Sequence, residues 1–320
     1  MKFKTEVKIR PIENPISYTS KVLLLGSCFA NNIGEKLDYF SFDAKINPFG
    51  IVFNPKSILD LIERAIDLRL YDGNDIFEHQ ELWHSFEVHS SMSQANSNQL
   101  VEHLNQELID FQKQIIESSH IIITLGSAWV YVEKSTQKIV SNCHKLPQNH
   151  FEKRILSVAE IASHLNEIVS KIEKINPKID FIWTVSPVRH QKDGFVENQR
   201  SKSHLFAALH EVIEKNENSK LYYFPSYELL MDELRDYRFY ENDMLHPSAL
   251  AIDFIWQKFK ENAIDASVFS FIDDIQSLKQ SYQHKAFNPN SVAHRSFLEA
   301  LEIKHNFIQK RLSFLRLKHS

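Results

Sequence analysis

Glycine is scarce in this 320-residue chain: it has six, where an average protein would spend about 7% of its length on glycine. A sequence this sparing keeps glycine for places where backbone must approach something closely or turn through positive φ. Gly26, Gly50 and Gly126 each follow an apolar or extended run and fit that description. Cysteine is rarer still. Cys28 and Cys143 stand apart with no Cys-x-x-Cys pair, which argues against a disulfide framework and a structural zinc site, so both thiols are expected to be reduced. No apolar run approaches the roughly 20 residues of a membrane-spanning helix. The opening Met1-Lys2-Phe3-Lys4-Thr5-Glu6 lacks the apolar core of a signal peptide. The expected setting is therefore cytoplasmic, with no membrane partner. A basic excess is also missing, since 37 Lys and Arg face 41 Asp and Glu for a net charge of -4. That leaves little to neutralise phosphates, and no nucleic-acid partner is expected.

What is present is apolar and periodic. With 43% apolar residues the chain can bury a large core. Lys21 to Gly26 ends in an apolar run too short for a helix and is cut off by glycine, a buried strand. From Cys28 the period changes: Phe29, Ile33, Leu37 and Phe40 mark one face of a helix. Phe42 to Ile46 alternates as a second strand, and Pro55 starts a second helix. Residues 71–96 lose periodicity and read as an excursion over the sheet. A long helix spans about 97–117, and His120 to Leu125 is the clearest strand. Trp129–Val132 and Lys138–Val140 flank a polar turn as a hairpin. Ser157 with Glu160 makes a capping box for another helix. Strands at Ile179–Val185 and Leu221–Phe224 enclose a helix with Leu205, Leu209, Val212 and Ile213 inward.

Strand and helix alternating five times predict an α/β fold with one doubly wound parallel sheet covered on both faces. In such sheets ligands bind outside the carboxyl ends of the strands. Those ends are Gly26-Ser27-Cys28, Asn47 to Gly50, Gly126 to Trp129 and Ser186 to His190, which are also the most polar and glycine-marked points of the chain. Acyl transfer needs a nucleophile, a base, an acid that orients the base, and N–H donors for an oxyanion. Ser27 and Cys28 are both candidate nucleophiles. Asp243 and His246, three apart on a turn into a helix, can lie side by side as orienter and base; otherwise Asp243 is an N-terminal cap.

At these residues the sequence resembles the GSCFA-domain family, which is named for Gly26-Ser27-Cys28-Phe29-Ala30 and looks like a branch of the SGNH (GDSL-type) hydrolases. The resemblance continues through Asn47-Pro48-Phe49-Gly50, Trp83-His84-Ser85, Thr124-Leu125-Gly126, Asn142-Cys143-His144-Lys145, Ser186 to His190, Ser201-Lys202, Tyr223 to Glu228 and Asp236 to Tyr240, covering roughly residues 20–260. Asp243-x-x-His246-Pro247 is close to the Asp-x-x-His-Pro block of the SGNH hydrolases. The resemblance implies a flavodoxin-like three-layer sheet, His246 as base, Asp243 as its orienter, and the Gly50 N–H as an oxyanion donor beside the nucleophile's own N–H. The expected activity is an acyl hydrolase or acyltransferase acting on an ester or thioester of a small molecule or carbohydrate, and no cofactor or metal is expected.

Two features depart from the SGNH pattern. Gly126-Ser127-Ala128 stands where that family has Gly-x-Asn, so one oxyanion donor is missing unless Asn142, Asn47 or His144 supplies it, and a binding module that has lost catalysis is the alternative. Alignment on glycine places Cys28 at the family serine, whereas alignment on residue type favours Ser27. A thiol at a helix N-terminus near His246 should have its thiolate favoured. Among the other residues, Arg189 and Lys202 are read either as binding an anionic substrate group or as pairing with Asp236 and Glu228. Trp83, Trp129 and Tyr131 wall a pocket or fill the core. His84, His89, His144 and His190 lack metal-ligand spacing. Together Asn47, Trp83, His84, Gly126, Trp129, His144, Arg189, His190 and Lys202 make the expected substrate-binding set.

The domain is expected over 1–262, with a helical C-terminal extension over 263–320. Within the extension Leu298, Leu301, His305, Ile308, Leu312 and Leu315 recur at spacings of three and four, either the seam of a homo-oligomer or an amphipathic helix packed on the domain.

Overall fold

A computed structural model describes residues 5–283, 287–288 and 290–311. The chain runs β1 (Lys21–Gly26), α1 (Cys28–Tyr39), β2 (Asp43–Ile46), α2 (Pro55–Ile66), a hairpin of β3 (Phe77–His79) and β4 (Leu82–His84), α3 (Ser97–Glu117) and β5 (His120–Leu125). A small antiparallel sheet follows, from β6 (Trp129–Glu133), β7 (Lys138–Val140) and β8 (Phe151–Ile155). Then come α4 (Val158–Ile175), β9 (Asp180–Val185), α5 (Phe195–Lys215), β10 (Leu221–Tyr223), a short turn α6 (Ser226–Glu228), α7 (Ala249–Ala263), α8 (Phe269–Gln283) and α9 (Val292–Arg311).

The central sheet has the order β10-β9-β5-β1-β2, with every pair parallel. Counting only its strands in chain order gives 2-1-3-4-5, the flavodoxin-like doubly wound order. Both faces are covered, so the strands are apolar at consecutive positions and alternate only in which core they join. Leu23, Leu25, Ile121, Ile123, Phe181 and Trp183 face the core packed with α2, α3, α4 and α5. Val22, Leu24, Ile122 and Ile182 face the opposite core, built with α1 and α7.

Local chemistry sets the helix starts. Ser27 caps α1, Asn54 with Pro55 starts α2, and Ser248 caps α7. The Ser157–Glu160 capping box of α4 is present in both directions. The third strand of the small sheet, Phe151-Glu152-Lys153-Arg154-Ile155, has no sequence expectation behind it, because three charged residues in five hide its alternation. Residues 71–96 hold more structure than an excursion: Tyr71, Val88 and Met92 are buried in the first core.

The extension is helical, as expected. In α9, Leu301 and Ile308 are buried in the second core while Leu298 is exposed, which favours the packed-helix reading for those two residues. Leu312 and Leu315 lie outside the described residues. No helix among the described residues is long and apolar enough to cross a membrane.

Gly26 has φ of +124°, and a Cβ there would sit 2.1 Å from the Thr124 carbonyl oxygen of β5. Gly26→Ala is therefore expected to cost about 3 kcal/mol, from strained φ and a clash with backbone that cannot move away alone. Urea unfolding should give that loss as a lowered midpoint at unchanged slope.

Candidate active site

The parallel register brings four strand ends to one edge. β1 stops at Gly26, whose N–H donates to Asn47 Oδ1 at 2.8 Å, while Asn47 Nδ2 donates to Asn31 Oδ1 at 2.7 Å. Asn47 thus ties the end of β1 to that of β2 and to α1. The Ser27 N–H continues onto the Thr124 carbonyl at 3.0 Å, and its hydroxyl accepts the Phe29 N–H at 3.3 Å as the N-cap of α1. Ser27 is 4% exposed and already occupied. Cys28, the first residue of α1, is half-buried. Its thiol faces the N–H groups of Phe29 and Cys28 and the charge of Lys202, all of which favour thiolate, but burial outweighs them and pushes the thiol up. The expected low thiol pKa is therefore corrected: desolvation exceeds the helix-end effect here.

Lys202, on α5, is fully buried. Its Nζ donates to the Gly126 carbonyl at 2.7 Å and to the Ser186 carbonyl at 2.7 Å, spanning the ends of β5 and β9. Neither Asp236 nor Glu228 pairs with it: Asp236 meets Arg238, and Glu228 accepts from the Tyr223 hydroxyl. Burial lowers Lys202 to about 7, and Cys28 is the one group that raises it. The same inward stripe of α5 carries Ser201, whose hydroxyl accepts the Ala128 N–H at 2.7 Å, and Asn198. Asn198 is 1% exposed. Its Oδ1 accepts the His190 N–H at 2.9 Å, which identifies the two ends of the amide, and its Nδ2 is buried with no partner.

His246 and Asp243 lie on the loop before α7. Nδ1 of His246 is 2.6 Å from Asp243 Oδ2, and Asp243 Oδ1 accepts the N–H groups of Leu245 and His246 at 2.9 Å each. The backbone N–H of His246, its ring and the Leu245 N–H pull the Asp243 carboxyl down to about 2. Asp243 is thus both a turn cap and an imidazole partner. The pair is half-exposed, with no hydrogen bond to Cys28 or Ser27. His190 connects it to the buried groups. Its ring lies 5.2 Å from that of Phe53, and burial first, then Lys202, with His246 and Lys153 adding, lower it to about 4.

The expected oxyanion donors are occupied in part. The Gly50 N–H donates to the Asn47 carbonyl at 2.8 Å, closing a turn, and so is not free as drawn from the resemblance. Asn142 Oδ1 accepts the His144 N–H, and His144 Nε2 meets the Ser85 carbonyl at 2.7 Å. His84 and His144 are both buried, with rings 4.6 Å apart, and border the edge through His89 beside Gly50. Among the described residues no group of three His, Cys, Asp or Glu can hold a metal. Trp83 packs against the first core, and Trp129 donates to the Glu197 carbonyl with Lys153 over its ring at 4.8 Å. Arg189 reaches Met231 Sδ and acts on Tyr227 and Tyr240. Asn198 carries no expectation from the sequence, and Lys202 is expected there to bind an anionic substrate group or to pair with Asp236 and Glu228, not to be sealed in. Both fall on the stripe with Leu205, Leu209 and Val212, a helical spacing that marks them as inward.

The GSCFA family model matches residues 21–259. No curated protein matches the sequence. A structure from Streptococcus pneumonia, provisionally described as a platelet activating factor, is 13% identical over 76% of this chain and 83% of its own, with a TM-score of 0.40. A carbohydrate esterase family 3 from Talaromyces cellulolyticus is 9% identical over 80% and 99%, with a TM-score of 0.36. An acetyl xylan esterase, Est2A, from the rumen bacterium Butyrivibrio proteoclasticus is 11% identical over 85% and 66%, with a TM-score of 0.34. Likenesses this slight carry no argument about activity.

His144 and His190 are held neutral in the fold, both at about 4, against 6.5 for an unburied histidine. Between those values the unfolded chain binds protons that the folded chain does not, so their stabilisation is complete above pH 6.5 and is lost as pH falls toward 4. The melting temperature is expected to drop from pH 7 to pH 5, and His144→Phe should reduce the drop. Calorimetry across that window checks it.

Proposed function

The chain belongs to the GSCFA family, and from that membership and the strand-end geometry we propose that it is an SGNH-like acyl hydrolase or acyltransferase acting on an ester or thioester, an acylated carbohydrate being one candidate. The observation that carries the reading is the Asp243–His246 pair, held by three hydrogen bonds on the loop before α7. A carboxylate on Nδ1 fixes the tautomer that leaves Nε2 to accept or give a proton. The sheet order and the Asp-x-x-His-Pro block support the same class.

Cys28 is the nucleophile in this reading and Ser27 the cap that presents it, since the Ser27 hydroxyl is already engaged by Phe29. His246 takes the proton from the Cys28 thiol, the thiolate adds to the acyl carbonyl, the carbon–oxygen bond to the leaving alcohol breaks, and His246 gives that proton to the alcohol. Water, or an acceptor hydroxyl, then gives its proton to His246 and adds to the thioester carbonyl, and the Cys28 thiolate leaves and takes the proton back from His246. The oxyanion meets the N–H groups at the start of α1 and the free amide of Asn198, which replaces the missing Gly-x-Asn side chain. A second reading is favoured by one observation: with the Gly50 N–H engaged, the site suits a slow enzyme or a binding module.

With an acyl ester or an acetylated sugar as substrate, His246→Ala is expected to lose about 10³-fold or more in kcat with the melting temperature unchanged. Cys28→Ala should be inactive while Ser27→Ala keeps turnover, and exchange of those outcomes would move the nucleophile to Ser27. Asn198→Ala should cost about 10²-fold in kcat with KM little changed. A wild-type protein that binds acyl substrates without turnover would support the binding-module reading.

A further inference from the structure

Arg189 is a half-buried guanidinium that the fold leaves without a counter-charge. The acids of the neighbouring segments are engaged elsewhere: Asp236 with Arg238, Glu228 with the Tyr223 hydroxyl, Asp232 with Arg235 and Asp193 with Lys153. Among the described residues no carboxylate forms an ion pair with Arg189. Instead its Nη2 donates to the Met231 thioether at 3.3 Å, and the Tyr240 hydroxyl donates to the same sulfur at 3.8 Å. A thioether is a weak, uncharged acceptor, so a cation and a phenol converge here on a group that satisfies neither fully. The Tyr227 hydroxyl lies close by and donates to Gln199 Oε1 at 3.1 Å. Burial raises the phenols of Tyr227 and Tyr240, with Arg189 opposing, and both keep their protons as donors.

Backbone ties this cluster to the His246 loop. The Glu241 N–H donates to the His246 carbonyl at 2.8 Å, the Ser248 N–H donates to the Phe239 carbonyl at 2.8 Å, and between them Tyr240 bridges Pro247. On the other side Arg189 directly precedes His190, whose N–H is held by the Asn198 amide at 2.9 Å. Met231 stands in a π-helical turn, Leu229–Glu233, a rare backbone form that recurs at functional sites.

We propose that Arg189 and Tyr240 form a subsite, beside the His246 loop, for an anionic group of the substrate, a carboxylate or a phosphate. Paired N–H donors of the guanidinium meet two oxygens of that group, and the Tyr240 hydroxyl turns from the sulfur to give a further hydrogen bond. No bond is made or broken at this subsite. The anion is held alike before and during acyl transfer, so its contribution belongs to KM and kcat/KM more than to kcat. The inference rests on the acyl-transfer reading and narrows its substrates to esters that carry a negative charge away from the acyl bond.

The test compares para-acetoxybenzoate and para-acetoxyphenyl phosphate with neutral methyl para-acetoxybenzoate, each as kcat/KM for release of the phenol. Intrinsic reactivity cancels when the charged-to-neutral ratio is compared between wild type and variants. Arg189→Gln is expected to lower that ratio by about tenfold for at least one anion, chiefly through KM, and the larger drop names carboxylate or phosphate. Arg189→Lys keeps the charge without the fork and should retain part of the preference, while Tyr240→Phe should lower it by about threefold. Arg238→Gln, which removes an exposed arginine already paired with Asp236, controls for the general field and should leave the ratio intact. A ratio unmoved by Arg189→Gln overturns the inference, and so does an equal loss in Arg238→Gln. Near-UV circular dichroism checks folding; should Arg189→Gln not fold, Tyr240→Phe decides, an unmoved ratio there removing the subsite. Calorimetry with para-hydroxybenzoate and para-hydroxyphenyl phosphate reads binding without turnover, and Arg189→Gln should weaken it by about tenfold. Arginine-dependent binding in a protein that hydrolyses none of the esters would defeat the proposed function and leave the subsite standing; hydrolysis with an unmoved ratio would do the reverse. A protein that neither binds these anions nor cleaves the esters ends both.

Discussion

The contact on which the site depends is the approach of Gly26 to the backbone of β5. The Thr124 carbonyl accepts the Ser27 N–H and lies where a side chain of residue 26 would have to go, so β1 can turn into α1 only while pressed against its neighbour. That closeness keeps the start of α1 at the sheet edge, with Ser27 spent as cap and Cys28 next to it. Asn47 locks the same turn from the other side by accepting the Gly26 N–H. A glycine in the left-handed range and an asparagine amide thus position a thiol that neither of them touches chemically.

Much of this was legible in the chain, and for identifiable reasons. The boundaries of α3 and the strands of the parallel sheet emerged from apolar runs ended by Gly26, Gly126 and Ser186, because buried parallel strands leave no polar face to confuse the pattern. The Asp243–His246 pair emerged because three residues around one turn can bring two side chains together. What stayed hidden needed three dimensions. A lysine in a helix is ordinarily solvated, and only the strand-end carbonyls of Gly126 and Ser186 explain how Lys202 can be sealed in. The Gly50 N–H looked free until the Asn47 carbonyl was found beneath it. β8 escaped because Glu152, Lys153 and Arg154 mask its period, and the apolar spacing of Leu301 and Ile308 could not say whether the partner was another chain or this one.

The electrostatics of the edge divide into a dry interior and a wet rim. Inside, burial drives Cys28, Lys202 and His190 toward their uncharged forms. At the rim, Asp243 stays ionised because backbone N–H groups and the His246 ring hold it so. A proton that moves between neutral groups leaves a pair of charges behind, which so dry an interior tolerates only where fixed dipoles meet them, while the permanent charge at the rim can orient a group that is itself in contact with water.

The two carbonyls that hold Lys202 belong to different strands, and this couples the chemistry to the sheet as a mechanical object. Sliding β5 past β9, or lifting α5 off their ends, would separate Nζ from one acceptor before any other part of the site was disturbed. The amine is in effect a fastener whose hold reports on alignment. Heat or denaturant that loosens this central pair should therefore free the amine at the same point at which the core opens.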